Sequence, residues 1–250
     1  MSDLRVEYPG AGAGAGLGAA TGSGTADGPQ PANRRGWTKP RRFLGRFVRW
    51  VLTAVLLAVL PFILLVRGGV FAYQQWDLGA WSSLAVSTAA TALLLACYAW
   101  AASQRLGAGK WFRKFAIRVA ALGAAAFVLY SLVVIAGGNV KSEEVRAEYS
   151  ALHPLLRMGV SVFVLADAEA VITDADRSPD FYARVGLPAN ESSLHFRQDD
   201  GFVHALDLRT INRPEWRNLA AELAFRAMGF NTLRHVGTAD HLHVSLRLPA

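Results

Sequence analysis

Hydrophobic positions along this chain fall into two regimes. Up to residue 140 they form three long runs without a charged side chain: 50–66 with 17 residues, 78–104 with 27 and 119–140 with 22. Beyond that point they come as short runs and alternations. Crossing a hydrocarbon core takes about 20 apolar residues in a helix, because every backbone polar group must be bonded within the segment. The runs predict spans at about 47–66, 80–102 and 117–138, the first lengthened by Phe47 and Val48, with Arg49 snorkelling to the interface. Pro61 predicts a kink in the first span. Trp37, Trp50, Trp76, Trp81, Trp100 and Trp111 flank the runs, as interfacial anchors do. Three such runs parted by short loops argue against buried soluble helices. A cleaved signal peptide does not fit either, because the first run starts late and no small-residue cleavage site follows it closely.

Residues 141–250 predict a domain of mixed helices and strands. The polar stretch 141–157 is helix-permissive. The segment 159–166 (GVSVFVLA) is rich in β-branched residues and predicts a strand, as does 170–173 (AVIT). A Ser-Pro start predicts a helix over 178–185, followed by a loop to 193. FVHALDL at 202–208 alternates and predicts a strand. Pro214 predicts a helix start near Asn212 or Arg213, running to Met228 with Leu219, Leu223, Phe225 and Ala227 inward and Gly229 at its end. Strands at 232–236 and 241–246 close the domain. No βαβ repeat is present, so the expected architecture is a three-helix transmembrane anchor (residues 37–140) carrying a small α+β domain (141–250). The Gly/Ala/Pro-rich tract at 9–33 cannot bury a core, so 1–36 is expected to be a disordered tail.

Charge changes the picture by assigning sides. Residues 1–50 hold 8 Lys/Arg against 3 Asp/Glu, residues 51–137 hold 6 against 1, and residues 138–250 hold 12 against 15. The net charge of +7 therefore belongs to the most apolar part of the chain, which does not fit a nucleic-acid-binding protein, and no nucleic-acid partner is expected. Arg34, Arg35, Lys39, Arg41, Arg42, Arg46 and Arg49 precede the first run. Only Arg67 lies between the first and second, whereas Arg105, Lys110, Arg113, Lys114 and Arg118 lie between the second and third. This bias predicts a multi-pass cell-membrane protein with a cytoplasmic N-terminus and an extracytoplasmic C-terminal domain. The basic stretch before the first run is read as the topology signal, with anionic lipid as an added partner of the bilayer. The runs contain no Asp, Glu, Lys or Arg, so they predict an anchor rather than a conduction path.

Candidate chemistry lies in the acidic segment 138–250, which holds all six histidines. The single cysteine, Cys97, excludes an intramolecular disulfide and a cysteine-built zinc site. Ser193-Leu194-His195, Ala205-Leu206-Asp207 and Asp240-His241-Leu242-His243 offer two imidazoles and a carboxylate, with a further carboxylate nearby. Such a donor set holds a cation without quenching its Lewis acidity, and a neighbouring carboxylate can take up a proton. His241 and His243 share one face of a regular strand and Asp240 the other, so Asp240 reaches that site only from an irregular strand start. His241 is the reserve candidate for the base or for stabilising the transition state. His204 lies on the opposite strand face from Asp207 and is read as a packing or surface residue, and as an alternative ligand to His195 if the strand is redirected. His153 is read as a surface residue at a helix end, and His235 as structural or as a supporting partner.

The segments around 193–195, 205–207 and 240–243 resemble the zinc D-alanyl-D-alanine metallopeptidase superfamily of peptidoglycan carboxypeptidases, dipeptidases and endopeptidases. The resemblance covers about 192–248, and 150–191 more loosely. It implies Zn2+ bound by His195, Asp207 and His243, with Asp240 as general base, Ser193 touching the substrate carboxylate, and peptidoglycan stem peptides as the partner. Eleven residues separate His195 from Asp207, more than in the family, consistent with an insertion around 197–201. Arg197, in that insertion, is the first choice for binding a peptide carboxylate, ahead of Arg209 and Arg234. Two other classes compete: a non-catalytic peptidoglycan- or metal-binding sensor or scaffold of the same descent, and a function seated in the spans themselves.

Overall fold

In a computed structural model of the chain, residues 39–135, 137–177, 192–237 and 240–249 are described. The tail expected at 1–36, the helix expected at 178–185 and most of the loop after it lie outside them. Three long helices come first: α1 (Lys39–Gln75), α2 (Ala80–Arg105) and α3 (Lys110–Val133), all long and apolar enough to cross a membrane. Short connections at Trp76–Gly79 and Leu106–Gly109 join them. Pro61 lies inside α1, which continues nine residues past the uncharged run. The extension is helical because it has something to pack on: Val70, Ala72 and Tyr73 are buried. The third span ends five residues earlier than expected, before a single 3-10 turn at Gly137–Asn139. There the Asn139 side-chain amide donates to the Ala168 and Ala170 carbonyls.

The C-terminal part contains α4 (Glu143–Glu148), α5 (Pro154–Ala166), β1 (Ile172–Asp174), β2 (Ala205–Arg209), α6 (Glu215–Met228), β3 (Asn231–His235) and β4 (His241–Ser245). Its four strands form one antiparallel sheet in the order β1-β2-β4-β3. Leu206, Leu208, Leu242 and Val244 are buried on one sheet face. Asp207, Arg209, His241 and His243 have the other parity, with Asp207 opposite His243 and Arg209 opposite His241. The sheet thus has an apolar face for the core and a histidine-bearing face for chemistry.

The expected strand at 159–166 is instead the second half of α5. Pro154 occupies the first turn, and the His153 ring caps the helix by accepting the Leu155 N–H at 3.2 Å. Leu155, Leu156, Met158, Val160 and Phe163 are all buried. A helix buried over most of its surface, as α5 is up to Phe163, reads as a continuous apolar run, which periodicity cannot tell from a buried strand. In α6 the buried positions are Asn218, Ala221, Phe225 and Met228, while Leu219, Leu223 and Ala227 face outward. The packed stripe follows Phe225, whose ring lies 5.0 Å from that of Phe163.

The compositional boundary at 141 is not a boundary in packing. Residues Arg49–Ala250 form one compact unit, and Leu65, Val66, Val70, Tyr73, Leu84 and Val128 of the long helices share a core with α5, the sheet and α6. At Gly69 a Cβ would meet Leu155 Cδ2 at 2.6 Å, so α1 and α5 touch through a missing side chain. The end of α3 is closed from the same side. Tyr149 O–H donates to the Ser131 carbonyl at 2.9 Å, and Arg157 Nη1 donates to the Leu132 carbonyl at 2.7 Å. These donors satisfy carbonyls that a helix end leaves open, and a cation there suits the helix dipole.

Candidate metal centre

The histidine-bearing face brings together His195, Asp207 and His243. His195 Nε2 lies 3.2 Å from His243 Nδ1 and 3.4 Å from Asp207 Oδ1, and His243 Nδ1 lies 2.9 Å from Asp207 Oδ1. Three ligands held at about 2.0–2.1 Å from one tetrahedral ion stand about 3.3 Å apart, so this triangle has the size of a metal seat. Cross-strand pairing of β2 with β4 fixes Asp207 and His243. His195 arrives on the loop before β2 and is 2 % exposed.

Proton positions agree with that reading. His195 Nδ1 lies 2.7 Å from the Ala175 carbonyl, which can only accept, so Nδ1 carries the ring proton. Nε2 is then a bare lone pair aimed at the triangle, the arrangement in which an outer hydrogen bond orients a ligand. The three facing atoms have one proton among them, on His243 Nδ1, and two acceptors compete for it. A cation would satisfy all three.

Asp207 is oriented from behind. Its Oδ2 accepts from Arg177 Nη2 at 2.7 Å, and Arg177 Nε donates to Asp174 at 2.6 Å. Burial opposes the charge on Asp207, but the hydrogen bond from His243 helps to outweigh it, and the carboxyl is held well below the usual range. Arg177 and Asp174 belong to no motif in the sequence. Their only signal was an acidic-basic cluster, Asp174-Ala175-Asp176-Arg177, directly after a strand.

The remaining expected residues are placed differently. Asp240 lines the groove of about 360 Å³ that Asp207, Arg177, His241, Arg209 and Lys141 also border. Its carboxylate is engaged, however: Arg234 Nε and Nη2 donate to it at 2.8 and 3.0 Å, and Thr210 Oγ1 at 2.7 Å. Those hydrogen bonds from Arg234 and Thr210 keep it below the usual carboxylate range, which weakens it as a base. The physical reason is strand parity. Asp240 immediately precedes β4 and turns towards the face that carries Arg234. His241 stays on the trio's face, with Nε2 3.7 Å from Asp207 Oδ2 and its ring stacked 4.6 Å from that of His235. Ser193 Oγ accepts the His195 N–H at 3.3 Å and so shapes the local turn. Arg197 is exposed and donates to Asp176 at 3.4 Å, and it is not among the residues bordering the groove.

A second group with the same residue types, His153, Asp200 and His204, also gathers its candidate ligand atoms within 4.8 Å. His153 and His204 are fully buried rather than on the surface, because the rings fill the space between α5, Tyr73 and Phe202. His204 Nε2 lies 2.9 Å from Asp200 Oδ2, and the Tyr73 hydroxyl donates to the same oxygen at 3.3 Å. Since His153 Nδ1 accepts the Leu155 N–H, its ring proton sits on Nε2, 3.8 Å from Asp200. Binding an ion through that nitrogen would require an imidazolate or loss of the helix cap. Burial, helped by His204, pushes the His153 pKa down to about 3, so the ring is neutral. This group does not fit a metal. It is a packed tether in which Asp200 joins His204 to the Tyr73 hydroxyl of α1 by hydrogen bonds, while the His153 ring at the start of α5 packs against Tyr73, Phe202 and His204 and its Nε2 has no hydrogen-bond partner among the described residues. No family model, curated protein or solved structure matches the chain.

Proposed function

We propose that this chain is a membrane-anchored, zinc-dependent peptidase that hydrolyses D-alanyl peptide bonds of peptidoglycan outside the cytoplasmic membrane. The observation that carries the metal-dependent part is the His195–Asp207–His243 triangle with the His195 proton fixed away from it. Two imidazoles and one carboxylate form a catalytic zinc donor set that leaves a position open. A bound zinc ion supplies Lewis acidity towards a scissile carbonyl. Arg177 holds Asp207 in place. With Asp240 engaged by Arg234, His241 is the group positioned to take and return a proton beside the trio. Arg209 and Lys141 are exposed at the groove and present positive charge, the sign a peptide carboxylate requires. The substrate class and the outer location rest on the motif resemblance and on the Lys/Arg bias.

The experiment is incubation of the full-length protein in neutral detergent with zinc and stem peptides, followed by mass analysis. Loss of one alanine or release of a dipeptide supports the reading and identifies the subclass. Unchanged peptides with zinc bound contradict catalysis and support the second reading, a metal-binding sensor or scaffold. The engaged state of Asp240 favours that reading, because it removes the expected carboxylate base.

A further inference from the structure

A second site stands apart from the metal centre, where α1 meets the turn after α6. A cleft of about 560 Å³ is bordered by Arg67 and Gln74 of α1, Arg226 of α6, Asn231 and Thr232 of β3, and Arg247 beyond β4. Its lining includes three guanidinium groups and no carboxylate. Arg226 is already engaged, donating to Thr232 Oγ1 at 2.7 Å and pairing with Glu222 at 2.5 Å. Among the described residues, Arg67 and Arg247 have no acidic partner, and both are exposed. Gly229, at φ +99°, keeps the cleft open, since a Cβ there would collide with the Arg67 guanidinium. The carbonyl end of α6 favours one cation nearby, which suits Arg67 but leaves Arg247 unexplained.

Position identifies the ligand. Arg67 directly follows the uncharged run of α1, and Gln74 lies seven residues further along the same helix. At 1.5 Å per residue the cleft extends from the edge of the hydrocarbon to about 10 Å above it. That is the headgroup layer, which adds about 5–8 Å on each side of the core. We propose that this cleft binds the phosphate of an anionic phospholipid headgroup in the leaflet on the side of the C-terminal domain, with Arg67 and Arg247 as the recognising groups. Such a contact would hold the domain at a fixed height over the bilayer, and it does not depend on the metal reading.

The test uses the full-length protein in neutral detergent, with native mass spectrometry of bound short-chain phosphatidylglycerol against phosphatidylcholine of equal chain length. Wild type is expected to retain phosphatidylglycerol preferentially. The Arg67→Gln/Arg247→Gln variant is expected to lose about 30-fold in affinity, from two cations at a lipid surface. Arg67→Lys/Arg247→Lys should recover part of the preference, which separates charge recognition from misfolding. Equal retention of both lipids by wild type, or no change in the glutamine variant, overturns the proposal. Displacement of phosphatidylglycerol by millimolar inorganic phosphate would overturn the lipid as the occupant and assign the same cleft to a soluble phosphate.

Discussion

His195, Asp207 and His243 on one side of the domain, and His153, Asp200 and His204 on the other, are the same residue types gathered within the same reach. What separates them is the atom behind each ring. The Ala175 carbonyl draws the His195 proton away from the centre, whereas the Leu155 N–H forces the His153 proton towards it. Proximity of ligand types is therefore a weak criterion for a metal site, and the second nitrogen of each histidine is the stronger one. The supports differ in kind as well. Asp207 is braced by Arg177, while Asp200 carries His204 and a hydroxyl from α1.

The largest expected difference is in metal affinity. His243→Ala removes a ligand and should weaken zinc binding beyond the 10–100-fold that loss of an outer partner typically costs, whereas His204→Ala should leave zinc binding unchanged. Titration with a competing chelator measures both, and equal losses in the two variants would erase the distinction. Next in size is the rate. If His241 holds the proton beside the trio, His241→Ala should lower turnover by about 100-fold or more, and Asp240→Asn by only a few-fold. A 100-fold loss in Asp240→Asn would return the base role to Asp240 and require its ion pair with Arg234 to open. Arg177→Gln should then cost about 10–100-fold in zinc affinity, since it frees Asp207 to rotate.

A smaller effect separates the tether by pH. The folded pKa of His153 is depressed to about 3 from an ordinary value near 6.5. Below about pH 6.5 the unfolded chain binds a proton that the folded chain does not, so stability falls as pH drops towards 3. The slope is at most about 1.4 kcal/mol per pH unit from this one group. His153→Asn keeps a cap acceptor but has no such titration, so its melting temperature should vary less between pH 6.5 and 4.5 than that of wild type. An unchanged slope would mean that His153 is not buried as a neutral ring.

The two parts of the chain differed in how far their sequence could be read. The spans were legible because membrane burial demands uninterrupted apolar runs, and 50–66, 78–104 and 119–140 supply them. The extension of α1 to Gln75 was not, because it depends on Tyr73 and Val70 finding partners far along the chain. Residues 159–166 were misleading because they are apolar almost throughout and rich in β-branched residues, so no helical period shows in the sequence although Leu165 is exposed in the helix. At the site, strand alternation put His241 and His243 on one face and Asp240 on the other, while the pairing of Asp207 with His243 came from the resemblance and not from spacing. Asp240 followed the same parity rule onto Arg234. His153 and His204 read as surface or packing residues, since nothing local records that a loop carboxylate, Asp200, folds back onto both.

The central claim is that only one of the two histidine groups is a metal seat. Its most direct test is the metal content of full-length protein, measured by elemental analysis after zinc loading and desalting. The expected result is about one zinc per chain in wild type and in His204→Ala, and none in His243→Ala. A zinc-free wild type, or zinc lost from His204→Ala and kept in His243→Ala, would contradict the account.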